Sequence, residues 1–269
     1  MTILEAAPTA LAAPTARIGV LVVAYNAEAH LAKTLSRIPD AFASIVDVVY
    51  VNDDASSDRT TEVARDFGSQ SALPMVITKN PQNRGYGGNQ KDGYRAAIAD
   101  GLDVVVLLHG DGQYAPEYLG EMVAPILSGQ ADAVFGSRML AKGGARSGGM
   151  PLYKFVGNKV LTSIQNQLSG LRLSEWHSGY RAYSVDALRR MPVESWSDGF
   201  DFDTQIILGL QDAGLRIQEI PIPTFYGDEC CYVNGVAYAA KIVRHVWGAK
   251  QRRWAASGPA LTGRPATGR

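Results

Sequence analysis

Val104-Val105-Val106-Leu107-Leu108-His109-Gly110-Asp111-Gly112-Gln113-Tyr114-Ala115-Pro116-Glu117 is the stretch whose reading decides the fold. An unbroken β-branched and leucine run stops at a cluster holding an imidazole, a carboxylate, an amide and two glycines. A strand buried on both faces ends in this way at a ligand crevice. In open α/β sheets ligands sit beyond the carboxyl ends of the strands, and glycine lets a bulky group approach the backbone. Asp111 and Gln113 are therefore expected to face such a crevice. Pro116 fits the first turn of a helix from Glu117 to Leu127, where its missing N–H is not needed. Taken alone, the same residues also fit an ordinary solvated strand-to-helix turn.

The pattern repeats on both sides of this stretch. Apolar runs at Ile18–Ala24, Ile45–Val51, Met75–Thr78 and Ala133–Gly136 join Val104–Leu108 as expected strands. Helical spacing falls between them, at Leu31–Ile38, Thr60–Phe67 and Tyr86–Ile98. Such alternation calls for an α/β fold, a mostly parallel sheet flanked by helices. The second half, from about Lys142, is less regular.

Each early strand ends in polar residues. Ala24-Tyr25-Asn26-Ala27-Glu28 follows the first, Asn52-Asp53-Asp54-Ala55-Ser56-Ser57-Asp58-Arg59-Thr60 the second, and Asn80-Pro81-Gln82-Asn83-Arg84-Gly85-Tyr86-Gly87-Gly88-Asn89 the third. Asp53 and Asp54 can accept hydrogen bonds from a base or ribose, with one of the two serving structure. The run from Gly85 through Gly87 could open backbone N–H groups to a phosphate, although the Lys-Ser/Thr of a P-loop is missing. Asp111 with Gln113 could hold a divalent cation across a diphosphate, since Mg²⁺ takes one or two carboxylates plus substrate phosphates.

Composition sets bounds on these readings. The 269 residues, 46% hydrophobic, can bury a large core. A formal net charge of +0 gives no global basic field for nucleic acid. Cys230 and Cys231 are adjacent and read as free thiols of a reducing compartment. Residues 1–16 read as a flexible lead-in without the features of a signal peptide, and 255–269 as a disordered tail. No apolar run is long enough to span a bilayer. The expectation is a cytoplasmic protein, at most peripheral on the cytoplasmic membrane face.

The ordered set Val23-Ala24-Tyr25-Asn26, Asp53-Asp54-Ala55-Ser56-Ser57-Asp58-Arg59-Thr60, Asn83-Arg84-Gly85-Tyr86-Gly87 and His109-Gly110-Asp111-Gly112-Gln113 resembles the family 2 glycosyltransferases, particularly the dolichyl-phosphate mannose synthase-like branch. Gly136-Ser137-Arg138, Glu175-Trp176-His177-Ser178-Gly179-Tyr180-Arg181 and Glu219-Ile220-Pro221-Ile222 extend the resemblance to about Gly227. It implies a glycosyltransferase A-type fold over 17–230, a nucleotide-diphosphate sugar donor, a Mg²⁺ or Mn²⁺ ion and inversion at the anomeric carbon. On the donor side it implies Ala24, Tyr25, Asp53, Asp54, Gly85, Gly87 and Gly110, with Asp54 and Tyr25 lining the nucleoside pocket. Glu28 stands one position later than the family's glutamate. Asp111 and Gln113 take the metal positions. His109 departs from the pattern, where many relatives carry aspartate; it reads either as a ligand, favouring Mn²⁺, or as an uncharged hydrogen-bond donor behind the ligands.

For the acceptor side the resemblance implies a polyprenyl phosphate met by Arg138, with Lys154 as a second cation; the plain alternative for Arg138 is a surface ion pair. Arg181 is expected at the diphosphate or its metal. His177 reads as a site residue or a satisfied buried histidine. Asp201 and Asp203 could cap a helix over Thr204–Ala213, or one could be a general base. A helix over 231–254, with Val236, Ala240, Val243 and Trp247 on one side and Lys241, Arg244, His245 and Arg252 mostly on the other, could lie in an anionic membrane surface or pack on the domain. Two other functions fit: transfer to a soluble hydroxyl, which needs a base such as Asp203, and non-catalytic nucleotide-sugar binding.

Overall fold

The computed structural model describes residues 16–141, 144–223 and 235–256. The expected lead-in and tail fall almost entirely outside these residues, as do Cys230 and Cys231. A 7-stranded sheet is formed by β1 Ile18–Ala24, β2 Val48–Asp53, β3 Met75–Lys79, β4 Val104–His109, β5 Ala133–Ser137, β6 Arg181–Ser184 and β7 Ile217–Pro221, in the order β3-β2-β1-β4-β6-β5-β7. Its helices are α1 Leu31–Ser36, α2 Asp40–Ala43, α3 Thr60–Gln70, α4 Gly85–Ala99, α5 Leu119–Leu127, α6 Gly144–Ser147, α7 Leu152–Ser169, α8 Val185–Arg189, α9 Phe202–Asp212 and α10 Gly235–Ala256.

Every residue of β1 is buried, and its side chains alternate between two cores. Leu21 and Val23 join Tyr94, Trp176, Tyr183, Phe202 and Ile206 on one face of the sheet. Val20, Val22 and Ala24 join Leu31, Leu35, Leu119, Met122 and Tyr180 on the other. Covering both faces is what makes the unbroken apolar run stable as a strand. The second strand begins at Val48, three residues later than expected, because the Asp47 carboxylate accepts the Ile18 N–H at 2.7 Å and fixes the turn before it.

The second half contributes the two strands that apolar patterning did not single out. Strand β6 is short and antiparallel to both neighbours, with Arg181 opposite Leu107 of β4 and Phe135 of β5. Its first residue therefore lies on the edge of the sheet where β4 and β5 end. Strand β7 runs parallel to β5.

Helix α10 packs on α7 and α9, but not through the expected stripe. Ile242, Val246 and Ala249 are the buried positions, while Ala240 and Trp247 are exposed. The helix carries apolar residues on more than one side, and the side that fits the domain surface wins. Among the described residues no helix is long and apolar enough to cross a membrane.

Candidate active site

The polar strand ends lie along one rim, and much of their chemistry is spent on building it. After β2, Ala55 adopts a left-handed φ of 60°, a conformation strained for a residue with a side chain. The turn is held by Asp53, whose Oδ1 accepts the Ser56 N–H at 2.8 Å and whose Oδ2 accepts the Thr61 hydroxyl. Asp54 faces the third loop. Its Oδ1 accepts from Asn80 Nδ2 at 3.0 Å and the Arg84 N–H at 2.8 Å, and its Oδ2 from the Gly85 N–H at 2.9 Å. Glu28 and Asp58 are reciprocal: the Glu28 N–H donates to Asp58 Oδ2 at 3.1 Å, and Glu28 Oε2 accepts the Arg59 N–H at 3.0 Å. Glu28 thereby ties the first loop to the start of α3. Tyr25 stands beside Ala24 at the mouth, with 42% of its surface exposed.

The glycines of the third loop serve close packing, a correction to their reading as a phosphate cradle. The N–H groups of Gly87 and Gly88 donate to the Asp198 carbonyl at 2.7 and 3.2 Å, and that of Gly85 is taken by Asp54. A Cβ on Gly87 would sit 2.6 Å from the Ser197 carbonyl oxygen and 2.6 Å from Phe202 Cβ. The segment 197–202 thus rests directly on the loop, and Lys91 pins it through the Trp196 carbonyl at 2.9 Å. Gly87→Ala should push this segment away and cost about 1–3 kcal/mol; thermal denaturation checks this, and an unchanged midpoint would show that the segment can move without penalty.

At the end of β4 a chain of side chains runs inward. His109 Nε2 lies 3.1 Å from Tyr86 Oη, and the Tyr86 hydroxyl donates to Asp203 Oδ2 at 3.1 Å. A phenol has one proton to give, so with that proton on Asp203 the imidazole donates from Nε2 and keeps its Nδ1 lone pair. Burial lowers the His109 pKa, against the raising influence of Asp111 and Asp203, which favours the neutral ring. Gly179 closes on the ring from behind, where any side chain would collide with it. Asp111 Oδ1 accepts the Gln113 N–H at 3.0 Å in a tight turn completed by Gly112 at φ 77°. Among the described residues no group of three or more His, Cys, Asp or Glu side chains forms a ready-made metal cage. One carboxylate, one neutral imidazole and one amide suit an ion whose remaining ligands come from a bound diphosphate.

Arg181 is not at the crevice surface. It is 1% exposed, donating from Nε to the Ser178 carbonyl at 2.8 Å, from Nη1 to Asp203 O at 3.0 Å and from Nη2 to Trp176 O at 3.0 Å. Asp203 Oδ1 lies 3.5 Å from its Nη1. A guanidinium this deeply buried, with each of its three nitrogens bonded to the surrounding backbone, holds the wall and does not face the crevice, which corrects the sequence expectation. Asp201 is likewise committed, to Ser197 at 2.9 Å, Lys241 at 3.3 Å and His245 at 2.8 Å, and so anchors α10.

Arg138 lies just beyond β5 and makes a buried ion pair with Glu175. Its N–H reaches Glu175 Oε2 at 2.8 Å, its Nε reaches Oε1 at 2.9 Å, and Nη2 contacts both Oε1 and the His177 carbonyl. Burial pushes the Glu175 carboxyl up, but the Arg138 charge and hydrogen bonds outweigh it and hold the group below its usual range. Asn158 of α7 donates to Oε1 at 2.7 Å, with Lys154 one helical turn before it. Glu219 of β7 fixes the segment from below, accepting the Ser174 and Glu175 N–H groups at 2.8 and 3.2 Å. Glu175 and Tyr86 are the organising residues that the sequence reading did not assign. The available signal for the first was that a buried arginine requires a counter-charge.

His177 is partly buried, its Nδ1 meeting Tyr238 Oη of α10 at 3.1 Å rather than a backbone carbonyl and its Nε2 without a partner among the described residues, and burial drops its pKa to about 4. With the folded value below the ordinary 6.5, the unfolded chain binds the extra proton first. Stability from this site is complete above pH 6.5 and falls as the pH drops towards 4. His177→Gln should flatten that part of the acid unfolding curve, and an unaltered curve would mean the ring charges freely in the folded state.

The sheet order, the rim of strand-end loops and the reversed β6 define a glycosyltransferase A-type fold. The structure superposes on glucosyl-3-phosphoglycerate synthase from Mycobacterium tuberculosis, crystallised with Mn²⁺ and UDP-glucose, with a TM-score of 0.65 at 18% identity over 88% of this chain and 80% of that one. The glycosyl transferase family 2 model matches residues 19–191, and the chain belongs to that family. It is 30% identical to an undecaprenyl-phosphate mannosyltransferase of Micrococcus luteus, over 77% of this chain and 82% of the relative. It is 27% identical to a UDP-N-acetylglucosamine–dolichyl-phosphate N-acetylglucosaminyltransferase of Methanococcus voltae, over 78% of this chain and 86% of the relative.

Proposed function

We propose that the protein is an inverting glycosyltransferase that moves a sugar from a nucleotide-diphosphate donor to a polyprenyl phosphate. The observation that carries this reading is the Arg138–Glu175 pair, which holds a guanidinium rigidly beside the His109–Asp111 rim; its charge is felt at His109 and Tyr114. A guanidinium suits a phosphate through its planar fork of donors, and the two relatives compared above are named for lipid-phosphate acceptors.

In this mechanism an acceptor phosphate oxygen attacks the anomeric carbon as the bond to the nucleoside diphosphate breaks on the opposite side. A phosphate oxygen is already ionised near neutral pH and needs no general base. Asp203 fits this scheme as an orienting group, since Tyr86, Gln90 and Arg181 all point at its carboxylate. Asp111, Gln113 and the Nδ1 of His109 would hold a Mg²⁺ or Mn²⁺ ion, which when bound supplies charge stabilisation to the departing diphosphate. Tyr25 and Asp54 flank the nucleoside. Arg138 and Lys154 receive the acceptor headgroup, and Arg181 supports the wall behind Asp203.

The lipid tail requires a membrane surface, and α7 supports peripheral contact. Leu152, Tyr153, Val156 and Val160 are all at least half exposed on one side of this helix, with Lys159 beside them. The test is transfer from radiolabelled UDP- and GDP-sugars to undecaprenyl phosphate in detergent with Mn²⁺, read as label extracted into organic solvent. Label appearing in the lipid fraction is the expected result. Label transferred only to a water-soluble hydroxyl acceptor would replace this reading with the hydroxyl one.

A further inference from the structure

On the face of α9 turned away from Asp203 lies an open cavity of about 590 Å³, bordered by α9, the segment 190–196 and α10. Gln205, Leu208, Gly209 and Asp212 line it. At about 100° per residue these positions point well away from Asp203, so the cavity is separate from the donor rim. Its size falls in the range of small-molecule sites.

The walls are cationic. Arg190, Arg244 and Arg252 line the cavity, and no ion pair among the described residues engages any of them. The two acids nearby are already committed, Asp212 to Arg253 at 2.6 Å and Asp201 to His245 at 2.8 Å. Arg190 is braced by its hydrogen bond to the Ala213 carbonyl at 3.1 Å. Arg244 and Arg252 stand two turns apart on α10, about 12 Å along the axis. Between them Gly248 leaves the wall open: among the described residues a Cβ there would meet Arg252 Nη1 alone, at 3.6 Å. The floor is apolar, formed by buried Met191 and Leu208 and by Trp196, whose ring lies so close to Gly209 that no side chain would fit there.

We propose that this cavity binds an organic phosphate carrying an apolar group, the phosphate on Arg190, Arg244 and Arg252 and the apolar part on Met191, Trp196 and Leu208. This assignment does not depend on the identity of the transfer reaction. Charge-assisted guanidinium–phosphate bonds supply the affinity, and the apolar floor selects against bare inorganic anions.

The test is calorimetric titration of the full chain with octyl phosphate below its micelle concentration, with inorganic pyrophosphate, and with phosphatidylcholine vesicles with and without phosphatidic acid. Octyl phosphate should bind at one site besides the Arg138–Lys154 headgroup site, pyrophosphate more weakly at that additional site, and the Arg244→Ala/Arg252→Ala variant should bind octyl phosphate there about tenfold or more weakly while keeping the headgroup site. Arg244→Gln/Arg252→Gln serves if the alanine variant does not fold. Asp111→Asn should leave the binding intact. Vesicle binding that needs phosphatidic acid and both arginines would place the ligand in a lipid; octyl phosphate binding without vesicle binding would make it a soluble organic phosphate, and either result supports the site. No binding of octyl phosphate, equal binding in the arginine variant, loss in Asp111→Asn, or pyrophosphate binding as tightly as octyl phosphate would each overturn it.

Discussion

Glu175→Ala should lower the stability of the folded protein by about 3–5 kcal/mol, because removing one partner of a buried pair strands the other charge. Arg138 is 5% exposed, and Glu175 receives its backbone N–H, its Nε and its Nη2 together with the Asn158 amide. At roughly 2–4 °C per kcal/mol for a protein of this size, the melting midpoint should fall by about 10 °C. Glu175→Gln keeps an acceptor for the Arg138 N–H and should lose less. The pair also sets an acid limit. Since the folded carboxyl titrates below its ordinary 4.5, its contribution is present above pH 4.5 and is lost as the pH falls through the lower folded value. The glutamine variant should lack that limb, and a drop of less than about 1 kcal/mol in the alanine variant would mean that Arg138 finds another counter-charge.

Asp111→Asn is the second large change expected, this time in rate. Sugar transfer should fall on the order of a hundredfold to a thousandfold, the scale of several kcal/mol of lost charge stabilisation at a departing diphosphate. The melting midpoint should stay close to wild type, because among the described residues the Asp111 carboxylate makes one local bond, from the Gln113 N–H at 3.0 Å, which asparagine can still accept through its carbonyl. Turnover within about threefold of wild type, in single-turnover assays saturated with donor and Mn²⁺, would remove Asp111 from the ion and from the reaction.

The strand ends of the first half were legible in the sequence because β1, β2 and β4 are buried on both faces and run to abrupt polar ends; β1 was read to the residue. The second half of the chain depends on contacts that periodicity does not encode. Arg138 and Glu175 are 37 positions apart and meet only because β6 runs backwards between β4 and β5. Tyr86 sits in a glycine run that resembles a phosphate loop, and only the packing of 197–202 on those glycines reveals it as the link between His109 and Asp203. The buried side of α10 was misread for a different reason. Ile242, Val246 and Ala249 form a stripe as apolar as Ala240, Val243 and Trp247, and the choice between them is made by the surface of α9 and α7.

Strand β7 carries Glu219, which accepts both the Ser174 and Glu175 N–H groups and so supports the carboxylate that holds Arg138. This sets an order of assembly as the chain is synthesised. Asp53 and Asp54 can find their partners early, within the first parallel strands β1, β2, β3 and β4 and the loops that follow them. Arg138, by contrast, emerges into a growing chain that lacks Glu175 for 37 residues, and Glu175 lacks the backbone clamp of Glu219 for a further 44. Long-range pairings of this kind close late in folding. The Arg138–Glu175 pair is among the last parts of the protein to be finished, and a nascent chain arrested before β7 would hold both partners without the backbone clamp of Glu219.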